Sequence, residues 1–268
     1  MKYSIRQLKS MARESLQGNY GTIISALLLY MLINFLINFV SNLLFRNGST
    51  LTAVVSFLFS FVISLIMCIF SAGLDYMYLN ISRKQPVQVS DLFYMFNHNP
   101  DRVIAAGFVL TLLTTLADLP ITLSLLYLPG LSEGSPTALL QFMGIVLISI
   151  VLSVLLCFPF SFAYFLLAES PDMGAGEALK QSAGLIRLNF LRLFLLECSF
   201  LGLALLSVFT LYIALLFVIP YMRTSMVFLY REARGELHAG PHTQDNGPSF
   251  TQTSFRGYSQ QDDYNSEA

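Results

Sequence analysis

The chain has no tryptophan, only three cysteines and three histidines, and few charges. Each scarcity excludes something. Charged residues make up 12% of the sequence, about half the usual globular share, which is too few for the surface of a soluble fold of this length. Cys68, Cys157 and Cys198 each fall inside an apolar run and none stands in a C-x-x-C spacing, so no disulfide frame, metal clip or redox motif is read. A net charge of −1 supplies no basic field for nucleic acid. No acid, base and nucleophile converge on one side of the chain, so neither catalysis nor a cofactor is expected, and no metal site is read. Without tryptophan, tyrosine must serve as the interfacial aromatic.

What the sequence does have is length without charge. Gly18–Phe45 runs 28 residues and Leu51–Leu74 runs 24 without a charged side chain. About 20 apolar residues cross a bilayer. Four spans follow: Tyr20–Phe45, Leu51–Tyr78, Val103–Leu128 and Leu139–Leu167. The first apolar run is longer than the core of a signal peptide and no small-x-small site follows it. Asn47-Gly48-Ser49 and Pro129-Gly130 are turn formers, so each flanking pair reads as a tight helical hairpin. The remaining segment, Leu193–Tyr230, is too long for one span. Two spans turning near Thr210-Leu211-Tyr212 put every Lys and Arg except Arg46 on or beside one face, and that bias sets orientation. The expected fold class is an all-α integral membrane protein with six transmembrane helices as three hairpins and both termini cytoplasmic. Tyr20, Tyr76, Tyr78, Tyr164 and Tyr230 fall at the expected inner ends, Tyr127 and Tyr212 at the outer ends.

An amphipathic segment precedes each hairpin. The first, "YSIRQLKSMARESLQGN", sets Ile5, Leu8, Met11, Ala12, Ser15 and Leu16 on one face, with Arg6, Lys9 and Arg13 on the other. The second is "VSDLFYMFNHN", with Ser90 as N-cap. The third is "GEALKQSAGLIRLN", with Ser170 and Pro171 ahead of it in cap-like order. Each ends near an asparagine: Asn19, Asn99, Asn189. The pattern suits helices lying in the inner headgroup layer. They either cap and anchor the bundle, the simpler reading, or form a collar for lipids or a docking partner.

The third copy, "LAESPDMGAGEALKQSAGLIRLNFLRLFLLECSFLGLALL" followed by "FVIPYMRTSMVFLYRE", resembles a bacterial family of polytopic membrane proteins, domain-of-unknown-function family 975. The opening "LKSMARESLQGNYG" fits as well, so the resemblance covers about residues 1–232. Its more specific features are the acid-x-Pro turn, "EALK-x-S" and the final "PY…T…FY". Family members more often have glycine where Leu188 precedes Asn189. The resemblance implies a bacterial plasma-membrane setting and no mechanism.

Polar groups inside the spans are the candidate sites. Arg223 lies about 12 Å from the inner end of the sixth span and Glu197 about 7 Å into the fifth, at 1.5 Å per residue. The depths nearly match, so an ion pair in the membrane between Glu197 and Arg223 is expected, with snorkelling of Arg223 as the alternative. Asn34, Asn38 and Asn42 recur every four residues, as do Ser56, Ser60 and Ser64. They form either a polar helix-packing stripe or a path for a solute; stripes that satisfy each other favour packing. Asp118, two residues before Pro120, is a candidate ion or proton site. A protonated Asp118 or a helix broken at Pro120 accounts for it equally well.

Several motifs fail. "GLSEG" at Gly130–Gly134 has the letters of a nucleophile elbow, but it lies in an outer loop while His98, His238 and His242 are inside. "NGS" at Asn47–Ser49 lies too near the bilayer to be a glycosylation acceptor. Gly240 and Pro241 prevent His238 and His242 from aligning on a helix. "GAGE" at Gly174–Glu177 lacks a strand before it. Residues 1–234 read as the membrane domain and 235–268 as a disordered cytoplasmic tail, either solvated or docking a protein partner through Phe250, Phe255, Tyr258 and Tyr264. The expected function is a non-catalytic scaffold or assembly factor acting through membrane lipids or a protein partner at the cytoplasmic face or tail. The alternative is a transporter or exporter of a small solute or ion.

Overall fold

Ser4 starts the first helix. Its hydroxyl accepts from the amide of Gln7 at 3.3 Å, and the Gln7 side chain accepts from the amide of Ser4 at 2.8 Å, a reciprocal capping box. The helix, α1 (Ile5–Leu16), buries Leu8, Ala12, Ser15 and Leu16 and exposes Arg6 and Arg13. The computed structural model describes residues 3–45, 50–128, 134–210 and 213–237, and all regular structure within them is helical. Arg46, the turns at Asn47–Ser49 and Pro129-Gly130, all of "GLSEG" but its last residue, Leu211-Tyr212, and the tail from His238 onward lie outside the described residues.

Next come α2 (Tyr20–Leu44) and α3 (Thr50–Ser82). A 3-10 turn at Val89–Phe93 and the single turn α4 (Tyr94–Asn97) then lead to α5 (Pro100–Tyr127). The chain continues through α6 (Pro136–Cys157), a 3-10 turn at Phe158–Phe160, and α7 (Ala163–Glu169). It closes with α8 (Ala175–Phe209) and α9 (Leu215–Ala233). Among the described residues, five stretches are long and apolar enough to cross a membrane: Tyr20–Leu44, Val54–Ser82, Pro100–Leu125, Pro136–Glu169 and Ala175–Ser207. Helix α9 has 19 residues but carries Arg223, Arg231 and Glu232, so it is less apolar than those five.

The three asparagines stand where each amphipathic segment meets a long helix. Asn19 is the N-cap of α2, and its side chain donates back to the carbonyl of Ser15 at 3.4 Å. Asn99 precedes α5 in the left-handed conformation (φ 52°), which asparagine tolerates better than most residues. Asn189 leaves helical geometry inside α8 (φ −124°, ψ 16°), and its amide donates to the carbonyl of Leu185 at 3.1 Å. The third amphipathic segment is therefore continuous with a long helix through a kink.

Some local expectations change. The second segment is capped by Gln88, whose amide donates to the Asp91 carboxylate at 2.8 Å, and Ser90 lies one turn inside. Ser170 ends α7 instead of starting α8; Arg102 donates to the carbonyls of Ser170 and Met173 at 2.7 and 3.0 Å and holds that turn. Helix α5 runs unbroken through Pro120. The apolar face of α1 packs on α9 and α3, so protein covers it. Lys9, placed by periodicity on the polar face, reaches α8. Its ammonium donates to the Ser199 carbonyl at 3.2 Å and sits 4.0 Å from the Phe200 ring centre, and burial pushes its pKa down. Tyr78 and Tyr230 are core residues, not interfacial ones.

Burial is uneven along the long helices. Met67 to Ile81 of α3, Phe162 to Leu167 around α7, and Met226 to Tyr230 of α9 form one buried core with α1. The far halves of α2 and α3, most of α6 and the second half of α8 expose leucine, valine, isoleucine and phenylalanine to the outside. Soluble monomers rarely show contiguous apolar patches above a few hundred Å². Lipid is the solvent this surface fits.

Charges gather at the buried end. Arg83 pairs with Glu169 and, at 3.1 Å, with Glu236, which also accepts from Arg231 at 2.9 Å. Tyr230 donates its hydroxyl to Glu169. Arg192 pairs with Glu232 at 2.8 Å, and the same carboxylate accepts from the amide of Tyr3 at 2.9 Å. Burial opposes the charge on Arg83, but the hydrogen bonds and negative charges of Glu169 and Glu236 outweigh it and hold its pKa above the ordinary value.

Candidate functional site

Above this charged end, where the helices separate, lies a cavity of about 540 Å³. Its walls are polar for a place so deep in an apolar bundle. Helix α2 contributes Tyr30, Asn34, Asn38 and Ser41. Helix α3 contributes Ser60, Ser64, Cys68 and Ser71, and α5 contributes Thr111 and Thr114. Ser161 and Tyr164 enter beside the 3-10 turn that interrupts α6 and α7, and Arg223 comes from α9. Ser60 to Ser71 alone spans about 16 Å of helix axis at 1.5 Å per residue.

Arg223 is the one formally charged residue of this lining. Nη2 donates to both carboxylate oxygens of Asp75 at 2.8 Å each. Asp75 is 1% exposed and lies outside the lining, while the Arg223 side chain keeps 28% of its surface open. Nε and Nη1 make no hydrogen bond among the described residues. The guanidinium lies 5.6 Å from the Phe165 ring centre, a further favourable contact. The pair is neutral overall, which lets two charges sit inside an apolar bundle. Next to it, the Tyr78 hydroxyl is buried and has no hydrogen-bond partner among the described residues.

Helix α3 reaches α5 closely beside the cavity because residue 107 is glycine. A Cβ there would lie 2.7 Å from Cβ and Sγ of Cys68. Cys68 Sγ lies 3.9 Å from the Thr111 hydroxyl.

Sequence reasoning placed Arg223 in a buried ion pair but with Glu197. The structure gives the guanidinium to Asp75; Glu197 makes no ion pair with it within 4.0 Å but lies within reach of its field. Asp75 was legible: it is the only acid in Leu51–Tyr78, three residues before the expected end of that span. The stripes do not bond to each other. Asn38 donates to the Asn34 carbonyl at 2.8 Å, Asn42 to that of Asn38 at 2.9 Å, and Ser64 to that of Ser60 at 2.9 Å. Asn34, Asn38, Ser60 and Ser64 face the cavity; Asn42 and Ser56 are not in its lining. Asp118 is exposed on α5 and is not in the lining.

Long apolar helices around a polar cavity, with their charges tied at one end, define a polytopic helical membrane protein. The chain belongs to the family described as protein of unknown function (DUF975), whose model matches residues 1–236. No curated protein and no solved structure matches it.

Proposed function

We propose that this is a solute-handling membrane protein of the transporter or exporter kind, which binds a small polar solute in the cavity between α2, α3 and α5. The cavity carries the proposal: about 540 Å³, within the usual range for ligand sites, its apolar wall of Ile37, Ile63, Met67, Leu110 and Phe160 set with hydroxyls, amides and one guanidinium. Against a non-catalytic scaffold stands the cost of that lining. A bundle that served only to pack would gain by closing α2 on α3, yet Asn34, Asn38, Ser60 and Ser64 turn to a shared space and bond along their own helices, while the hydroxyls of Tyr30 and Ser71 meet across it at 3.4 Å. We assign no catalytic step.

On this reading α9 is the sixth span, pairing with α8 as a hairpin. Its contacts support this: Arg192 meets Glu232, and Phe200 meets Tyr221 at 5.0 Å between ring centres, so the two helices run in opposite senses. The cationic end faces the cytoplasm of a bacterial plasma membrane by charge bias, and the cavity opens away from it. Lipids surround the apolar flanks, and the tail is free for a cytoplasmic protein partner.

Cys68 tests this directly. In a Cys157→Ser/Cys198→Ser background it is left as a single thiol facing the cavity. A membrane-impermeant methanethiosulfonate added to spheroplasts is expected to modify it. Modification only by a permeant maleimide, or none by either reagent, would sink the water-accessible cavity and the proposal with it. A Ser64→Cys variant in a cysteine-free background repeats the test one helical turn away.

A further inference from the structure

Resting on that solute-binding reading, we infer that the cavity's ligand is an organic anion whose carboxylate or phosphate group accepts from the N–H groups of Arg223 that Asp75 leaves unoccupied, with Asp75 as the positioning residue that holds the guanidinium.

The lining has one formal charge, and it is positive. A ligand entering the cavity meets no carboxylate, because Asp75 is sealed behind Arg223. The guanidinium presents five N–H donors in a planar fork. Asp75 occupies Nη2, leaving Nε and Nη1 without partners. Nη1 keeps two N–H donors and Nε one, and each can give a charge-assisted hydrogen bond to an oxygen of a carboxylate or phosphate. A lysine would offer only a point charge here.

The pair with Asp75 keeps the fork from swinging. Both carboxylate oxygens take the same nitrogen, and the Arg223 side chain still forms part of the cavity wall. Among the described residues Glu197 is the other carboxylate within reach of the Arg223 field, and it is not in the lining. It opposes an incoming anion without blocking it. The rest of the wall sets the ligand's body. Ser71, Ser161, Thr111 and the Tyr164 hydroxyl surround the deep part, with Asn34 and Ser64 further along. These groups both donate and accept, so they fit hydroxyl or amide substituents. The volume exceeds what an inorganic ion needs, which favours a charged head with a polar body over phosphate alone.

Two sources share this chemistry: a soluble organic anion and an anionic lipid headgroup entering from the side. The test uses the purified full chain in detergent and reads ligand-dependent thermal stabilisation. The soluble probes are glycerol 3-phosphate, acetate and inorganic phosphate, with glycerol as the neutral control and choline as the cationic one. The lipid arm compares nanodiscs of phosphatidylglycerol with nanodiscs of phosphatidylcholine. Saturable stabilisation by a soluble anion, or by phosphatidylglycerol alone, supports the inference and tells the two sources apart. Arg223→Lys keeps the charge and the partner of Asp75 but loses the additional N–H donors, and is expected to weaken the anion by at least about tenfold, the worth of one charge-assisted hydrogen bond. Asp75→Asn/Arg223→Gln is expected to abolish the effect. Glu197→Gln, outside both the pair and the lining, is expected to tighten binding, which a purely structural role for Arg223 does not predict.

No response to any anion overturns the inference, as does equal binding to wild type and Arg223→Lys. Should glycerol or choline bind instead, unaffected by Arg223→Lys, the anion assignment fails while the solute-binding reading stands. If Cys68 is also closed to the impermeant reagent, both fail.

Discussion

Nη2 of Arg223 lies 2.8 Å from each carboxylate oxygen of Asp75, 148 residues earlier in the chain. This contact ties α9 to α3 at the floor of the cavity. Removing one partner strands the other. Arg223→Ala is expected to cost about 3–5 kcal/mol, the usual penalty for breaking a buried pair. Asp75→Asn/Arg223→Gln should cost much less than the sum of its two single changes. A double-mutant cycle on unfolding in mixed micelles measures the coupling, and strict additivity would refute it.

Close approach beside the cavity depends on Gly107. Because its added Cβ would sit 2.7 Å from Cβ and Sγ of Cys68, Gly107→Ala is expected to destabilise by about 1–3 kcal/mol through overpacking. Cys68→Gly in the same chain should restore most of that loss. Thermal unfolding of the three variants decides it, and no rescue would place the strain elsewhere.

At the charged end, Glu232 accepts from Arg192 twice and from the amide of Tyr3, with its side chain only 2% exposed. Glu232→Ala should cost about 3 kcal/mol or more and loosen α1, seen as faster amide exchange across Ile5–Leu16. The pair of Glu14 with Lys84 is a useful contrast, since both side chains are more than two-thirds exposed. Glu14→Ala should change stability by no more than about 1 kcal/mol.

Orientation makes a separate prediction. If the chain crosses six times with the cationic end inside, as proposed, alkaline phosphatase fused after Leu237 should be inactive and a fluorescent protein at the same point should mature. A cysteine at Ser135 should be labelled by an impermeant reagent from outside the cell. An active phosphatase fusion would require an odd number of crossings.

How much of this was legible depended on sequence distance. The buried face of α1 was readable because a 3.6-residue period is local, and the asparagine boundaries were readable because caps are local too. The spacing of Asn34, Asn38 and Asn42 was equally plain, but a four-residue repeat says only that the side chains share a face. What that face meets depends on how far α2 stands from α3, and the sequence does not encode that in a pattern. Each of these side chains can also satisfy itself on the carbonyl four residues back, so the repeat needs no second helix. The choice of Asp75 over Glu197 was harder still. Matching depths narrowed the candidates for Arg223, but both acids lie within a few residues of the right level, and helix rotation decides between them. The interfacial role read for Tyr78 and Tyr230 failed for a related reason: both are buried in the packed end of the bundle, Tyr230 beside Phe162 and Phe165.

Tyr3 donates its hydroxyl to the carbonyl of Leu237 at 3.3 Å while its own carbonyl accepts from Arg192. The first and last described residues of the membrane domain are thus stapled side by side, and the backbone comes close to being a closed ring. A circularly permuted chain, joined from 237 to 3 by a short linker and opened in the connection between α2 and α3, should still assemble. Cargo or an enzyme fused directly ahead of Tyr3 or directly after Leu237 would be delivered to the same small spot on the surface.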